Sequence, residues 1–230
     1  LIDAYAMIYR AYYALIRTPR INSKGMNTSA VMGFVNILHE IMSKEQPDYI
    51  AVAFDHGKTF RHDAFPLYKA QREETPEDIR RSVPIIKDIL AAWHIPCLQT
   101  DGFEADDIIG TLAAAVAAAN TSKSDSIAAG KDDESGENQQ VIDTYMVTGD
   151  KDYGQLVRGH VFMYKPRHGG GYDVLGEKEI CEKYSISSTK QVIDILALMG
   201  DSADNFPGCP GVGEKTAVKL INEWGSIDNM

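Results

Sequence analysis

Three short apolar runs in this chain each stop at an aspartate. Leu1-Ile2 leads to Asp3, Tyr49-Ile50-Ala51-Val52-Ala53-Phe54 to Asp55, and Thr144-Tyr145-Met146-Val147-Thr148 to Gly149-Asp150, with Asp152 two positions on. Short, nearly continuous apolar runs belong to strands buried on both faces, as in parallel sheets. Ligands of such sheets sit beyond the carboxyl ends of the strands. A single terminal Asp carries little weight, because Asp favours turns. Three such endings, with further acids elsewhere, direct attention to that end of the sheet.

The segments between these runs read as helices. Val31, Phe34, Val35, Leu38, Ile41 and Met42 give helical spacing over 28–45. Residues 76–93 form a second helical stretch, with Pro76 at an early position. A third, Ala-rich stretch covers 104–119. Ile95-Pro96-Cys97-Leu98 and Val161-Phe162-Met163-Tyr164 read as further strands. Strands that alternate with helices imply right-handed crossovers in an α/β domain. The expected fold class is therefore α/β, with a mostly parallel central sheet flanked by helices over 1–175. A helical region follows over 176–230, including a helix at 189–200. Residues 120–140 hold Ile127 as their one branched aliphatic residue; so little apolar surface predicts a flexible surface insertion.

The formal net charge of -10 taken alone argues against a nucleic-acid partner, since phosphate binding needs Lys and Arg. Cys97, Cys181 and Cys209 are far apart and form no CxxC pair, which fits reduced thiols in a cytosolic protein. No apolar run is long enough to span a membrane.

Two acidic clusters add to the strand-end aspartates. Gly102-Phe103-Glu104-Ala105-Asp106-Asp107 opens a helix. Taken by itself it is as well explained by capping and by the helix dipole as by a metal. Met199-Gly200-Asp201-Ser202-Ala203-Asp204-Asn205 reads alone as a polar junction with Asx turns. If all these segments converge, like charges oppose one another unless cations are present. Carboxylate donors without His or Cys at ligand spacing suit Mg²⁺ or Mn²⁺ rather than Zn²⁺. Two ions about 4 Å apart can clamp the attacking and leaving oxygens of a phosphodiester.

Seven segments, LIDAYAMIYR, AVAFD, TFRHDAF-LYKAQR, GFEADD, TGDKDYGQL, MGDSADNFPG and PGVGEKTA, occur in an order that resembles the 5′-nuclease family. That family includes the flap endonucleases and the 5′–3′ exonuclease domain of bacterial DNA polymerase I, and the resemblance lies nearest the latter. It covers nearly the whole chain apart from 120–140. It implies a PIN-like 5′-nuclease core with a helical arch at about 56–80 and a C-terminal helix–hairpin–helix. The implied activity is a 5′–3′ exonuclease or 5′-flap endonuclease acting in DNA replication and repair by two-metal hydrolysis.

By the same resemblance, Asp3, Asp55, Glu104, Asp106 and Asp107 form a first metal group, and Asp150, Asp152, Asp201 and Asp204 a second. The cofactors implied are two or more Mg²⁺ or Mn²⁺ ions, with K⁺ at the hairpin. Lys69 and Arg72 match residues at the scissile phosphate, where they would offset developing charge. Arg10 matches a phosphate contact, and a surface arginine following a buried Tyr9 explains it equally well. Arg61 belongs to the DNA-binding arch, whereas Lys58 reads better as a solvated loop residue. Gly211, Gly213, Lys215 and Thr216 match the hairpin that holds duplex DNA, where a Gly-x-Gly turn and the following helix N-terminus meet a phosphate. Alone, that turn is a weak signal. The chain departs from the family pattern in the length of 120–140 and in stopping near the end of the second hairpin helix.

The charge objection then weakens. Residues 58–72 carry Lys58, Arg61, Lys69 and Arg72 against Asp63, a local +3, and nine of the 33 acids are metal ligands by this reading. The implied partners are DNA with a 5′ flap or 5′ end and RNA primers, with no membrane. A monomer is expected, with a polymerase domain on the same chain, in the bacterial cytoplasm at the nucleoid. Two competitors keep part of this reading: a DNA-binding module without chemistry, and another metal-dependent phosphatase or RNase on a similar sheet. A third is a Ca²⁺-stabilised structural protein, which needs no Lys69.

Overall fold

The structure is a computed structural model that describes residues 1–128 and 141–230. The chain forms two compact units, Leu1–Ile108 and Ile109–Met230.

The first unit is built on three parallel strands, β1 (Ile2–Asp3), β2 (Val52–Ala53) and β3 (Cys97–Leu98), with β2 between the other two. Val52 and Ala53 are fully buried, as a doubly covered strand requires. The expected strand at 49–54 is shorter than the apolar run. Tyr49 is 81% exposed and precedes the paired segment, so the run's apolar character overstated its length.

Helices α1 (Ala4–Ala14), α2 (Ser29–Glu45) and α4 (Glu77–Ala92) cover the sheet. Their buried residues recur at helical spacing: Ala4, Met7, Ile8 and Ala11 in α1, then Ala30, Phe34, Leu38 and Ile41 in α2. Met42, expected on that stripe, lies at its edge and is 39% exposed. Gly33 is needed for the approach of α2 to α1, because a Cβ there would lie 2.6 Å from that of Ala11. Pro76 caps α4 rather than entering it. Between β2 and α4, the expected arch contains one short helix, α3 (Phe60–Ala64), followed by turns through Gln71.

Helix α5 (Ala105–Ala128) has its first turn in the first unit and its body in the second. It runs past residue 119, so the first part of the expected insertion is helical. The alanine run through Ala119 favours helix by intrinsic propensity. Asn120, 5% exposed, donates its amide to Ile142 O and accepts from Ile142 N, which fixes the return of the chain. Residues 129–140 of the expected insertion lie outside the described residues.

In the second unit, β4 (Thr144–Val147) pairs parallel with β5 (Val161–Pro166), and β6 (Tyr172–Leu175) pairs antiparallel with β5. All the strand pairs described here but that last one are parallel, as the expected class requires. The remaining helices are α6 (Glu177–Tyr184), α7 (Gln191–Met199) and α8 (Glu214–Trp224). Val192, Ile195 and Leu198 of α7 and Ala217 and Ile221 of α8 form their buried faces.

Candidate active site

The acids of the first group lie at or beside the carboxyl ends of the parallel strands of the first unit. Asp3 ends β1, is 7% exposed and accepts from the Ala6 N–H as the N-cap of α1. Asp55 follows β2 and accepts from the Ala105 N–H at 2.7 Å. Burial pushes its carboxyl above the usual range, against the opposing pull of that hydrogen bond, Lys69 and Arg72.

The GFEADD segment supplies the rest. Glu104 is only 5% exposed. Its Oε2 accepts from the Tyr68 hydroxyl at 2.7 Å, and its Oε1 pairs with Lys69 Nζ at 2.6 Å. Asp107 takes the Arg61 guanidinium on both oxygens at 2.7 Å and also accepts from the Glu104 N–H at 2.9 Å. Burial pushes the Asp107 carboxyl up, but these hydrogen bonds outweigh it and leave it below the usual range. Asp106 sits half-buried in the same helical turn. Capping, the alternative explanation for this segment, thus holds for the backbone while the side chains also gather three cationic or hydroxyl partners.

Those partners come from the arch. Its base is tied to the acidic segment, since the Phe60 N–H donates to Gly102 O and Thr59 bridges Gly102. The Thr59 N–H donates to His62 Nδ1, which closes the start of α3. Lys69 holds a left-handed backbone at φ 53°, and Arg72 is exposed. Arg10 lies half-buried on α1.

The second group is contained in the second unit. Asp150 is exposed and caps a short 3₁₀ turn, Lys151–Leu156, by accepting from the Asp152 N–H. Asp201 Oδ1 accepts from the Ala203 N–H and the Asp204 N–H, as an Asx turn. Its other oxygen lies 3.0 Å from Lys151 Nζ. Burial opposes these contacts, yet the Asp201 carboxyl is held below its usual range. Asp152 is the unbalanced member: its Oδ1 is buried with no hydrogen-bond partner. Burial first, then Asp150, Asp201 and Asp204, push its carboxyl up to about 6.

Gly200 and Gly208 pin the Asp201–Asp204 loop. Both have positive φ, and a Cβ on Gly200 would lie 2.5 Å from Phe206 O. Beyond this loop, Gly211 turns the chain at φ 79° and Gly213 caps α8. Neither has an atom within 4 Å of an added Cβ, and Lys215 and Thr216 are exposed in the first turn of α8.

Among the described residues, no group of three or more acids, histidines or cysteines is placed close enough together to hold a metal ion. Arg61, Lys69 and Lys151 stand on the carboxylates instead. The donor set nevertheless suits a hard divalent cation: every candidate ligand is a carboxylate oxygen, and the buried Asp152 Oδ1 is an acceptor without a hydrogen-bond partner. Tyr68 and Lys151 escaped the sequence reading. A phenol inside a basic stretch and a lysine between two aspartates carry no spacing signal for the partners they find.

Among the described residues, no helix is long and apolar enough to cross a membrane. Residues 1–185 match the family model of the 5′–3′ exonuclease N-terminal resolvase-like domain, and 187–230 match that of the 5′–3′ exonuclease C-terminal SAM fold. DNA polymerase I of Bacillus caldotenax is 38% identical over 233 residues, covering 100% of this chain and 24% of that protein. DNA polymerase I of Treponema pallidum is 37% identical over 231 residues, covering 100% of this chain and 21% of that protein. The chain thus spans about a quarter of the length of these relatives. Among solved structures, the T5 D15 protein co-crystallised with metal ions has the same fold, with a TM-score of 0.70 at 19% identity over 99% of this chain and 75% of the other. The catalytic core of Rad2 in complex with DNA substrate gives a TM-score of 0.56 at 18% identity over 99% of this chain and 62% of the other. Matched by two consecutive family models over almost its whole length, the chain belongs to the 5′–3′ exonuclease family.

Proposed function

We propose that this chain hydrolyses a DNA phosphodiester at or near a 5′ end or flap junction, leaving a 3′-hydroxyl and a 5′-phosphate. The observation that carries the proposal is the junction of Lys69 and Arg61 from the arch with Glu104 and Asp107. It brings the phosphate-binding Lys69, with Arg61 paired to Asp107 beside it, to carboxylates at the end of a parallel sheet, where the chemistry of such folds is located.

Each part of the chain has a role. Asp3, Asp55, Glu104, Asp106 and Asp107 would hold one Mg²⁺ or Mn²⁺, and Asp150, Asp152, Asp201 and Asp204 another. Bound divalent ions supply the charge that neutralises the phosphodiester and acidifies an attacking water. Lys69 and Arg72 bind the scissile phosphate and offset the charge on the departing oxygen. Arg10 contacts a neighbouring phosphate. Gly211, Gly213, Lys215 and Thr216 hold duplex DNA by its backbone, without reading sequence, around a K⁺ ion.

We keep the division into a nuclease core over 1–175 and a helical region over 176–230, the latter contributing Asp201 and Asp204 to the second ion. In the relatives named above, the matched region is part of a DNA polymerase I. This chain accordingly serves, as a monomer, the nuclease step of such a polymerase in replication and repair, in the bacterial cytoplasm at the nucleoid. RNA primers are within its substrate range, because the proposed contacts are to the backbone. The test is cleavage of a 5′-flap duplex in Mg²⁺ by wild type, Asp107→Ala and Asp150→Ala. Loss of cutting in both variants is expected; wild-type rates in either would remove its assigned role. Parallel DNA and RNA flaps measure the substrate range.

A further inference from the structure

The geometry points to Arg61 as a positioning residue that acts on the metal ligands through Asp107 rather than by touching DNA. Membership of the arch alone would assign it to DNA. Its surroundings differ from those of a DNA contact. Both Asp107 oxygens accept from the guanidinium, Oδ2 from Nη1 and Oδ1 from Nη2, each at 2.7 Å. The guanidinium also stacks 4.6 Å above the Phe60 ring, and its side chain is only 29% exposed. A bidentate fork on a carboxylate, backed by an aromatic face, is among the stronger charge-assisted contacts a protein makes. A phosphate contact by Arg61 would have to break it.

The connection continues inward. Asp107 Oδ2 also accepts from the Glu104 N–H at 2.9 Å, so the carboxylate that Arg61 orients caps the helix turn from which Glu104 projects. Arg61 Nη1 lies 3.6 Å from Glu104 Oε2. Phe60 is in turn fixed to the same loop by its N–H on Gly102 O. Arg61 therefore sets the orientation of two carboxylates assigned to one ion, in the way that partners behind metal ligands do. The inference rests on the metal-dependent reading proposed above.

Arg61→Lys separates geometry from charge. Lysine keeps the positive charge but cannot form the fork. The measurement is Mn²⁺ binding to the DNA-free protein, followed by the electron paramagnetic resonance of free Mn²⁺. Expected is a dissociation constant about tenfold weaker for Arg61→Lys, the usual cost of losing a partner behind a ligand. Asp107→Asn should weaken binding comparably, and adding Arg61→Lys to it should change nothing further. The slope of flap-DNA affinity against salt, measured without divalent ions on Arg61→Gln, should equal that of wild type. Wild-type Mn²⁺ affinity in Arg61→Lys would overturn the inference, as would an equal further loss in the Asp107→Asn background. A salt slope reduced by about one in Arg61→Gln would overturn it in favour of a phosphate contact, and needs no Arg61→Lys protein. Wild-type protein that takes up no Mn²⁺ would instead remove the metal-dependent reading on which it rests.

Discussion

Lys69 Nζ lies 2.6 Å from Glu104 Oε1, and the lysine reaches that position with a left-handed backbone. The residue assigned to the scissile phosphate is thus held by a residue assigned to a divalent ion. On the proposed reading, a monovalent ammonium and a divalent cation would compete for the same carboxylate, and ion binding would release Lys69 toward substrate. Lys69→Met should lower the cleavage rate of a 5′-flap duplex by about 10²–10³-fold, the usual loss for one charge-stabilising donor. The same variant should bind Mn²⁺ more tightly in the absence of DNA, because the competing cation is gone. Titration with Mn²⁺ alongside single-turnover cleavage checks both signs; weaker Mn²⁺ binding in the variant would rule out the competition.

The strands that carry the acids were legible because each is apolar on both faces and ends at an Asp. Strand β6 was not, since Asp173 interrupts its apolar residues and no position is fully buried; the hairpin with β5 and the Gly169-Gly170-Gly171 turn give it its place. The extension of α5 was hidden for the opposite reason. A Ser-, Asp- and Lys-containing continuation reads as a loop, while the Asn120–Ile142 pairing that brings the chain back is made between residues distant in sequence. At the site, the acids could be named from motif order. Their partners Tyr68 and Lys151 depend on side-chain direction, which spacing does not encode.

Asp152 ties stability to pH. Its carboxyl is pushed from the ordinary 3.8 up to about 6. A raised acid pKa costs folding free energy once the group ionises: the protein is unpenalised below about pH 4, loses stability as pH rises to 6, and keeps that deficit above. Because Asp152 is partly exposed, screening reduces the deficit to about 1 kcal/mol at pH 7.5. Asp152→Asn should therefore raise the melting temperature in EDTA by about 2–4 °C at pH 7.5 and by nothing near pH 4. In Mg²⁺ the order should reverse, as wild type gains an ion that the variant binds poorly. Thermal melts at the two pH values, with and without Mg²⁺, provide the comparison.

Gly208 is fixed by sterics. Its φ is 63°, and an added Cβ would strike the backbone of Met199 and Gly200. Gly208→Ala must therefore open the Asp201–Phe206 bridge, whose two backbone hydrogen bonds measure 2.8 and 2.9 Å. The cost is about 2–4 kcal/mol, combining a left-handed alanine with a backbone clash. Melting should fall by at least about 5 °C. Cleavage by the protein that remains folded should also drop, because Asp201 and Asp204 lie on that loop.

Gly213 provides the contrast within the same region. Its φ is -95°, and no atom lies within 4 Å of an added Cβ. Gly213→Ala costs only the weaker N-cap preference of alanine, at most about 1 kcal/mol. The proposed function of this position is close approach to a phosphate, which a methyl group obstructs, so duplex affinity should fall while folding persists. Lys215→Ala, exposed in the next turn, should reduce the salt slope of duplex binding by about one, with a loss that is uniform across sequences. Duplex titrations of both variants between low and moderate salt, with melts as the folding control, check the pair. An unchanged duplex affinity in both, with intact folding, would remove this hairpin from the DNA path.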